Sequence, residues 1–301
     1  MQKYSAYGIM QSTMNNTYRN RIFRAALVLA LVLCLLMSAC GDPHKGQVQI
    51  FDGSAQVWIT PEKGVPVSTF SASDFKLEGE AQEPVYIGTD FTASKGIDVS
   101  YYQQDIDWMK VAASGVEFAF IRCGYRGYTA GTMSEDEKFK DNIAGALKAG
   151  LQVGVYFFSQ AVTAGEAAEE AQYVIDMIKD YNVTLPLVFD WEHIDSEASA
   201  RTAQVDGETV TACAAAFCEK AKAAGYEPCI YFYRNTGYYV YDLTKLTDYT
   251  FWVSTPGNYP DFYYAHTIWQ YSFEGQVPGI AGNTDLDMIF TPVPSQSPQP
   301  S

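Results

Sequence analysis

From Lys95 to Tyr233 the sequence alternates five short apolar runs with four stretches of helical pattern, and few folds accept that rhythm. KGIDVS, EFAFIR, LQVGVYFF, LPLVFDWE and EPCIYFY read as strands. DIDWMKVAASG, SEDEKFKDNIAGALKAG, a stretch from Thr163 to about Tyr181 and one from about Glu208 to Ala224 read as helices between them. A strand followed by a helix and another strand is the unit that builds parallel sheets. After Tyr233 the helical signal shrinks to a short piece near Tyr239–Leu246, while YTFWVS, HTIWQYS and DLDMIF supply three more strands. Eight strands in this order predict an α/β class, TIM-like parallel barrel whose last three helices are reduced or missing. A doubly wound open sheet is the alternative, and no GxGxxG or GxxxxGK[ST] supports a nucleotide-binding version of it.

Local signals mark the helix ends. Ser134 with Glu137 and Thr163 with Glu166 have capping-box spacing, and Gly150 and Gly225 stand where helices stop.

The flanks differ from this core. Arg19, Arg21 and Arg24 precede the apolar run Ala25–Met37, and Ser38-Ala39-Cys40 follow, the layout of a secretory signal too short for an ordinary membrane span. LLMSAC-GD also resembles a bacterial lipobox, which implies that residues 1–40 are a lipoprotein signal peptide and that Cys40 is lipidated; a plain signal peptide with an incidental cysteine, and hence a secreted protein, is the alternative. Residues 41–93 form a β-rich segment or spacer, 94–291 the barrel, and 292–301, rich in Pro and Ser, a disordered tail.

Removing residues 1–40 takes away four positive charges and no acid, moving the net charge from −15 to −19. So acidic a chain is unsuited to nucleic acid, and its attachment to a membrane rests on the lipid at Cys40. Cys123, Cys213, Cys218 and Cys229 form no CxxC pair, and His44, His193 and His266 are scattered, so no metal site is expected. Buried thiols are the expectation; a Cys218–Cys229 disulfide is the other option.

LPLVFDWE poses the chemical question. Side chains on a strand repeat every two residues, so Asp190 and Glu192 point the same way with Cα atoms about 6.5–7 Å apart. Two like charges on one face cost energy unless one acid keeps its proton or something useful lies between them. In a barrel the active site lies at the C-terminal strand ends. There Asp98 on strand one, Asp190 and Glu192 on strand four, and Asp285 or Asp287 on strand eight would converge. Arg122, Tyr125, Tyr156, Phe158, Trp191, Tyr231, Tyr233, Trp269 and Gln270 would surround them. Carboxyls inside a ring of aromatic faces suit carbohydrate chemistry, because sugars stack on aromatics while acids handle the glycosidic oxygen.

KGIDVSYYQQDIDW, FAFIRCGYRG, the stretch from FKDNIAGALKAGLQVGVYFFSQ through EAAEEAQYVI, PLVFDWE, GYEPCIYFY and TIWQYS...GIAGNTDLDMIF together resemble the glycoside hydrolase family 25 lysozymes, over about residues 95–291. The resemblance implies a (β/α)5β3 barrel, in agreement with the element count. It also implies hydrolysis of the β-1,4 bond from N-acetylmuramic acid to N-acetylglucosamine in peptidoglycan glycan strands, without a cofactor. On that template Glu192 matches the general acid, Asp190 its paired carboxylate, and Asp98 and Asp285 supporting acids. Substrate contacts are expected from Arg122, Tyr125, Tyr156, Phe158, Trp191, Tyr231, Trp269, Gln270 and Asp287. Whether a carboxylate, water or the substrate's own acetamido group attacks stays open, because strand spacing does not fix the carboxyl separation. After strand six, WVSTPGNYP departs from the family's Trp-x-Ala-x-Tyr-like run.

The full expectation is a monomeric muramidase, tethered outside the cytoplasm. A non-catalytic peptidoglycan-binding lipoprotein is the alternative, and a two-lobed solute-binding lipoprotein is disfavoured by the single barrel pattern.

Overall fold

The computed structural model describes residues 21, 23, 24, 42–194 and 199–294. The apolar run Ala25–Met37, Cys40 and residues 295–301 of the expected tail lie outside the described residues. Among those described, no helix is long and apolar enough to cross a membrane.

The chain divides into two compact units. In the first, which includes residues 42–48 and 58–61, His44 stacks on Trp58 with ring centroids 4.0 Å apart. The second, residues 49–57 and 62–301, holds the barrel.

Eight strands close that barrel: β1 (Phe91–Val99), β2 (Phe118–Arg126), β3 (Gln152–Ser159), β4 (Leu187–Trp191), β5 (Pro228–Tyr233), β6 (Thr250–Ser254), β7 (Ile268–Gly275) and β8 (Thr284–Pro292). Helices α1 (Trp108–Ala113), α2 (Phe139–Lys148), α3 (Ala164–Ile178), α4 (Gly207–Ala223) and the short α5 (Arg234–Tyr239) follow the first five strands, giving (β/α)5β3. Strands β1 to β7 pair in parallel around the barrel.

One expectation needs correction: β8 is antiparallel to both its neighbours. The connection over residues 276–283 is shorter than the dozen or so residues a parallel crossover requires. The chain therefore turns back at the barrel mouth, and Asp285 reaches the mouth from the start of β8 rather than its end. A second correction concerns Ser134, which lies in a short strand, Met133–Glu135, paired with β2. Helix α2 starts later, at Phe139, without a side-chain cap. The Thr163 cap does form, accepting a hydrogen bond from Glu166 N at 3.2 Å.

The alternation of strand side chains sorts the core into two layers. Phe118, Phe120, Val188, Cys229, Tyr231, Trp252 and Ile268 fill the barrel interior. Gly96 and Gly154 make room for two of these rings: a Cβ at Gly96 would lie 2.2 Å from Phe118, and one at Gly154 2.3 Å from Phe120. The opposite parity, including Ile97, Val99, Ile121, Val155, Phe189 and Phe232, packs outward with the helices. Around β7 and β8, where no helix follows, part of the N-terminal β-rich segment takes over. Phe70 meets Phe290 at 4.4 Å, and Phe75 meets Phe290 at 6.0 Å and Trp269 at 5.5 Å. Backbone bonds from Ser68 to Tyr263 and from Ala265 to Pro66, both 2.9 Å, fasten it. All four described cysteines, Cys123, Cys213, Cys218 and Cys229, are buried free thiols, so no Cys218–Cys229 bridge forms.

Candidate active site

A cavity of about 690 Å³ opens at the C-terminal ends of the parallel strands. Asp98, Asp190, Glu192 and Asp285 all line it, together with Arg122, Tyr125, Tyr156, Phe158, Tyr231, Tyr233 and Gln270. Three register pairs explain the convergence. Asp285 lies opposite Asp98, Phe158 is level with Asp190, and Tyr231 is level with Asp190 on the other side.

Gln270 is the hub of the floor. Its Nε2 donates to Asp98 Oδ2 at 2.8 Å and to Asp285 Oδ2 at 3.3 Å, while its Oε1 accepts from the Tyr231 hydroxyl at 2.8 Å. One amide thus fixes two carboxyls and a phenol. Beneath it, Trp252 Nε1 donates to Asp287 Oδ1 at 2.9 Å. Trp252 itself stacks on Phe120 at 4.6 Å, so the site's floor rests on the barrel's filled interior.

Burial governs the acids. The Glu192 carboxyl is pushed up to about 7 by burial and then by Asp285, with Arg122 opposing. Asp285 is raised by burial to about 6. Asp190 and Asp98 are held well above the usual carboxylate range, each first by burial and next by a neighbouring acid, Glu192 for Asp190 and Asp285 for Asp98. So many carboxyls in one low-dielectric pocket cannot all ionise together. The arrangement keeps a proton in the site near neutrality.

Arg122 is the positive counterweight. Its Nε donates to the buried Asp136 at 2.8 Å, and its guanidinium lies 5.1 Å from the Tyr101 ring, 5.5 Å from Tyr102 and 5.7 Å from Tyr125. Asp136 also accepts from Tyr101 N at 3.1 Å. Arg122 Nη2 and Asp190 Oδ1, both buried, have no hydrogen-bond partner among the described residues. Gln160 holds the Glu192 backbone, donating to its carbonyl at 2.8 Å while accepting from Thr202 at 3.0 Å.

Three expected substrate contacts lie elsewhere. Trp191 follows Asp190 on β4, so it faces the outer layer, is 3 % exposed and donates to Ala161 O. Trp269 precedes Gln270 and likewise faces out, under the Phe75 ring, donating to Thr255 O. Asp287 shares the inward face with Asp285 but sits one step deeper, fully buried below the cavity. Conversely, Tyr101 and Tyr102 line the cavity although sequence reasoning passed over them. Adjacent tyrosines just after a strand end were the available signal. Among the described residues no group of three or more His, Cys, Asp or Glu side chains is placed to hold a metal ion.

A sequence model of the family described as glycosyl hydrolases family 25 matches residues 97–280. The chain is 27% identical over 195 residues to the autolytic lysozyme of Clostridium acetobutylicum, covering 64% of this chain and 55% of that protein. It is 29% identical over 209 residues to lysozyme M1 of Streptomyces globisporus, covering 65% and 67% respectively. Among solved structures, the modular autolysin of Streptococcus pneumoniae in complex with a synthetic peptidoglycan ligand aligns with a TM-score of 0.59 at 25% identity, over 82% of this chain and 57% of that one. The chain therefore spans little more than half the length of two of these three proteins.

Proposed function

This chain belongs to family 25 of the glycosyl hydrolases, and on that premise we propose that it is a muramidase, cutting the β-1,4 bond between N-acetylmuramic acid and N-acetylglucosamine in peptidoglycan. The observation that carries the reading is a protonated-range Glu192 beside Asp190 in an aromatic-lined cavity open to solvent. Glu192 delivers its proton to the glycosidic oxygen as the bond breaks. Positive charge then develops on the sugar ring, where the negative charge shared among Asp285, Asp190 and Asp98 stabilises it, and water finally adds at the anomeric carbon to complete the hydrolysis. The unpartnered Arg122 Nη2 and Asp190 Oδ1 receive polar groups of the sugar. Tyr125, Tyr156, Phe158 and Tyr231 supply ring faces and edges. The enzyme works outside the cytoplasm, tethered through a lipid on Cys40.

The direct test is mass spectrometry of fragments released from purified peptidoglycan. New reducing-end N-acetylmuramic acid is expected. Fragments ending in N-acetylglucosamine, or binding without cleavage, would overturn the assignment.

A pH dependence follows from the same carboxyls. Activity requires Glu192 protonated, so kcat/KM falls as pH rises through about 7. It also requires negative charge among the neighbours, so the rate falls as pH drops through about 6, where Asp285 takes up its proton. A narrow bell between these limbs is expected on soluble glycan. A rate still climbing at pH 9 would contradict the role given to Glu192.

A further inference from the structure

A second cavity, of about 500 Å³, adjoins the first, and Tyr233 lines both. Its far wall is not part of the family match: it is the turn Phe51–Ser54, which precedes residue 97. Its near wall includes Ser254 and Pro256, at the end of β6 and just beyond it.

The turn is held firmly. Asp52 Oδ1 accepts from Ser54 N, Ser54 Oγ and Ala55 N at 2.8, 2.8 and 2.9 Å, and Asp52 Oδ2 accepts from the Tyr239 hydroxyl at 3.0 Å. The Arg234 guanidinium lies 4.9 Å from the Phe51 ring and donates to Phe51 O at 3.3 Å. That arginine is already paired, with Asp261 at 2.5 Å. Among the described residues the cavity therefore presents no free cation, and it carries the carboxylate of Asp52. It is unsuited to an anionic ligand such as the carboxylates of a stem peptide. What it offers instead is two exposed phenol rings, Tyr233 and Tyr239, the Asn235 side chain, and the buried Ser254 Oγ, which has no hydrogen-bond partner among the described residues. Aromatic faces with neutral donors and acceptors suit a pyranose ring.

We propose that this cavity is an additional saccharide subsite, built by the Phe51–Ser54 turn against α5 and the end of β6, which holds sugars of the same glycan strand beyond those next to Glu192. The inference rests on the muramidase reading for its ligand, and its test is arranged to separate the two. Tyr239→Ala and Asp52→Ala remove one wall without touching the acids. On long glycan strands stripped of peptide, both raise KM about 5–10-fold with kcat unchanged. On the shortest cleavable oligosaccharide neither changes kcat/KM. Binding is measured in parallel by calorimetry, placing Tyr239→Ala in the Glu192→Gln background and titrating with peptide-free and, separately, peptide-bearing glycan oligomers. A loss of affinity confined to the longer oligomers supports the subsite even if the unaltered protein cleaves nothing, in which case only the muramidase reading falls. Equal affinity at every length overturns the subsite whatever the turnover. A loss seen only with peptide-bearing strands overturns it in favour of a peptide site.

Discussion

Glu192→Gln is expected to lower kcat on peptidoglycan by about 10³-fold, the middle of the range for losing a general acid, while raising stability at neutral pH. The swap keeps the shape and removes the transferable proton. Its stabilising effect follows from linkage. The folded state holds the Glu192 proton up to about 7, whereas the unfolded chain releases it near the ordinary glutamate value of 4.5. The native state therefore binds more protons across that window, and stability present below pH 4.5 is lost as pH rises through 7. At pH 8 the cost of ionising this group in the fold is about 1–3 kcal/mol. Glutamine escapes it. Urea unfolding at pH 8 is expected to show the variant more stable by that amount, with the difference vanishing at pH 4. Retained turnover would remove Glu192 from the acid's role; equal stability at both pH values would show that it is not desolvated.

Asp136→Ala is expected to destabilise the protein by about 3–5 kcal/mol, the usual cost of leaving a buried charge unpaired. Asp136 is almost fully buried and receives three hydrogen bonds, from Arg122 Nε, Tyr101 N and, at 2.9 Å, Lys138 N. Alanine leaves the Arg122 guanidinium with the cavity acids as its nearest partners. Arg122 turns toward Asp190, and the Tyr101–Tyr102 rim loses its backbone tie. Activity falls together with stability. Asp136→Asn, with its carbonyl oxygen in the place of Oδ2, keeps an acceptor for two of the three donors, Arg122 Nε and Tyr101 N, and should lose less on both counts. Urea denaturation at matched m-values measures the first effect, and kcat/KM below the unfolding transition the second. A loss under about 1 kcal/mol for alanine would mean that Arg122 finds full compensation elsewhere.

The placement of the candidate site's residues was legible in the sequence where strand parity and strand ends coincide. Asp98, Asp190 and Gln270 each sit on the inward parity near a strand terminus, and all three reach the cavity. The same parity argues against Trp191 and Trp269. Each is adjacent to an inward-facing residue and so points to the outer layer, a contradiction already present in the pattern. Asp287 has the right parity, but the depth of a residue below a barrel mouth depends on strand direction. The direction of β8 was hidden by the expectation of a uniform parallel barrel. Asp136 was absorbed into a helix start that the Met133–Glu135 strand displaces, because three residues of pairing to β2 outweigh a local capping signal. Gln160 and Trp252 act through hydrogen bonds across the fold, to Glu192 O and Asp287, which no local spacing encodes.

The reversed last strand has one more consequence. β8 runs away from the mouth and ends with Pro292 paired to Phe91, where β1 begins. The barrel is thus entered and left at a single spot, on the face opposite the carboxyls. A tag, surface linker or fused domain joined after Pro292 leaves from that spot, and the protein can be hung from a bead or chip with its working face turned outward to an insoluble polymer.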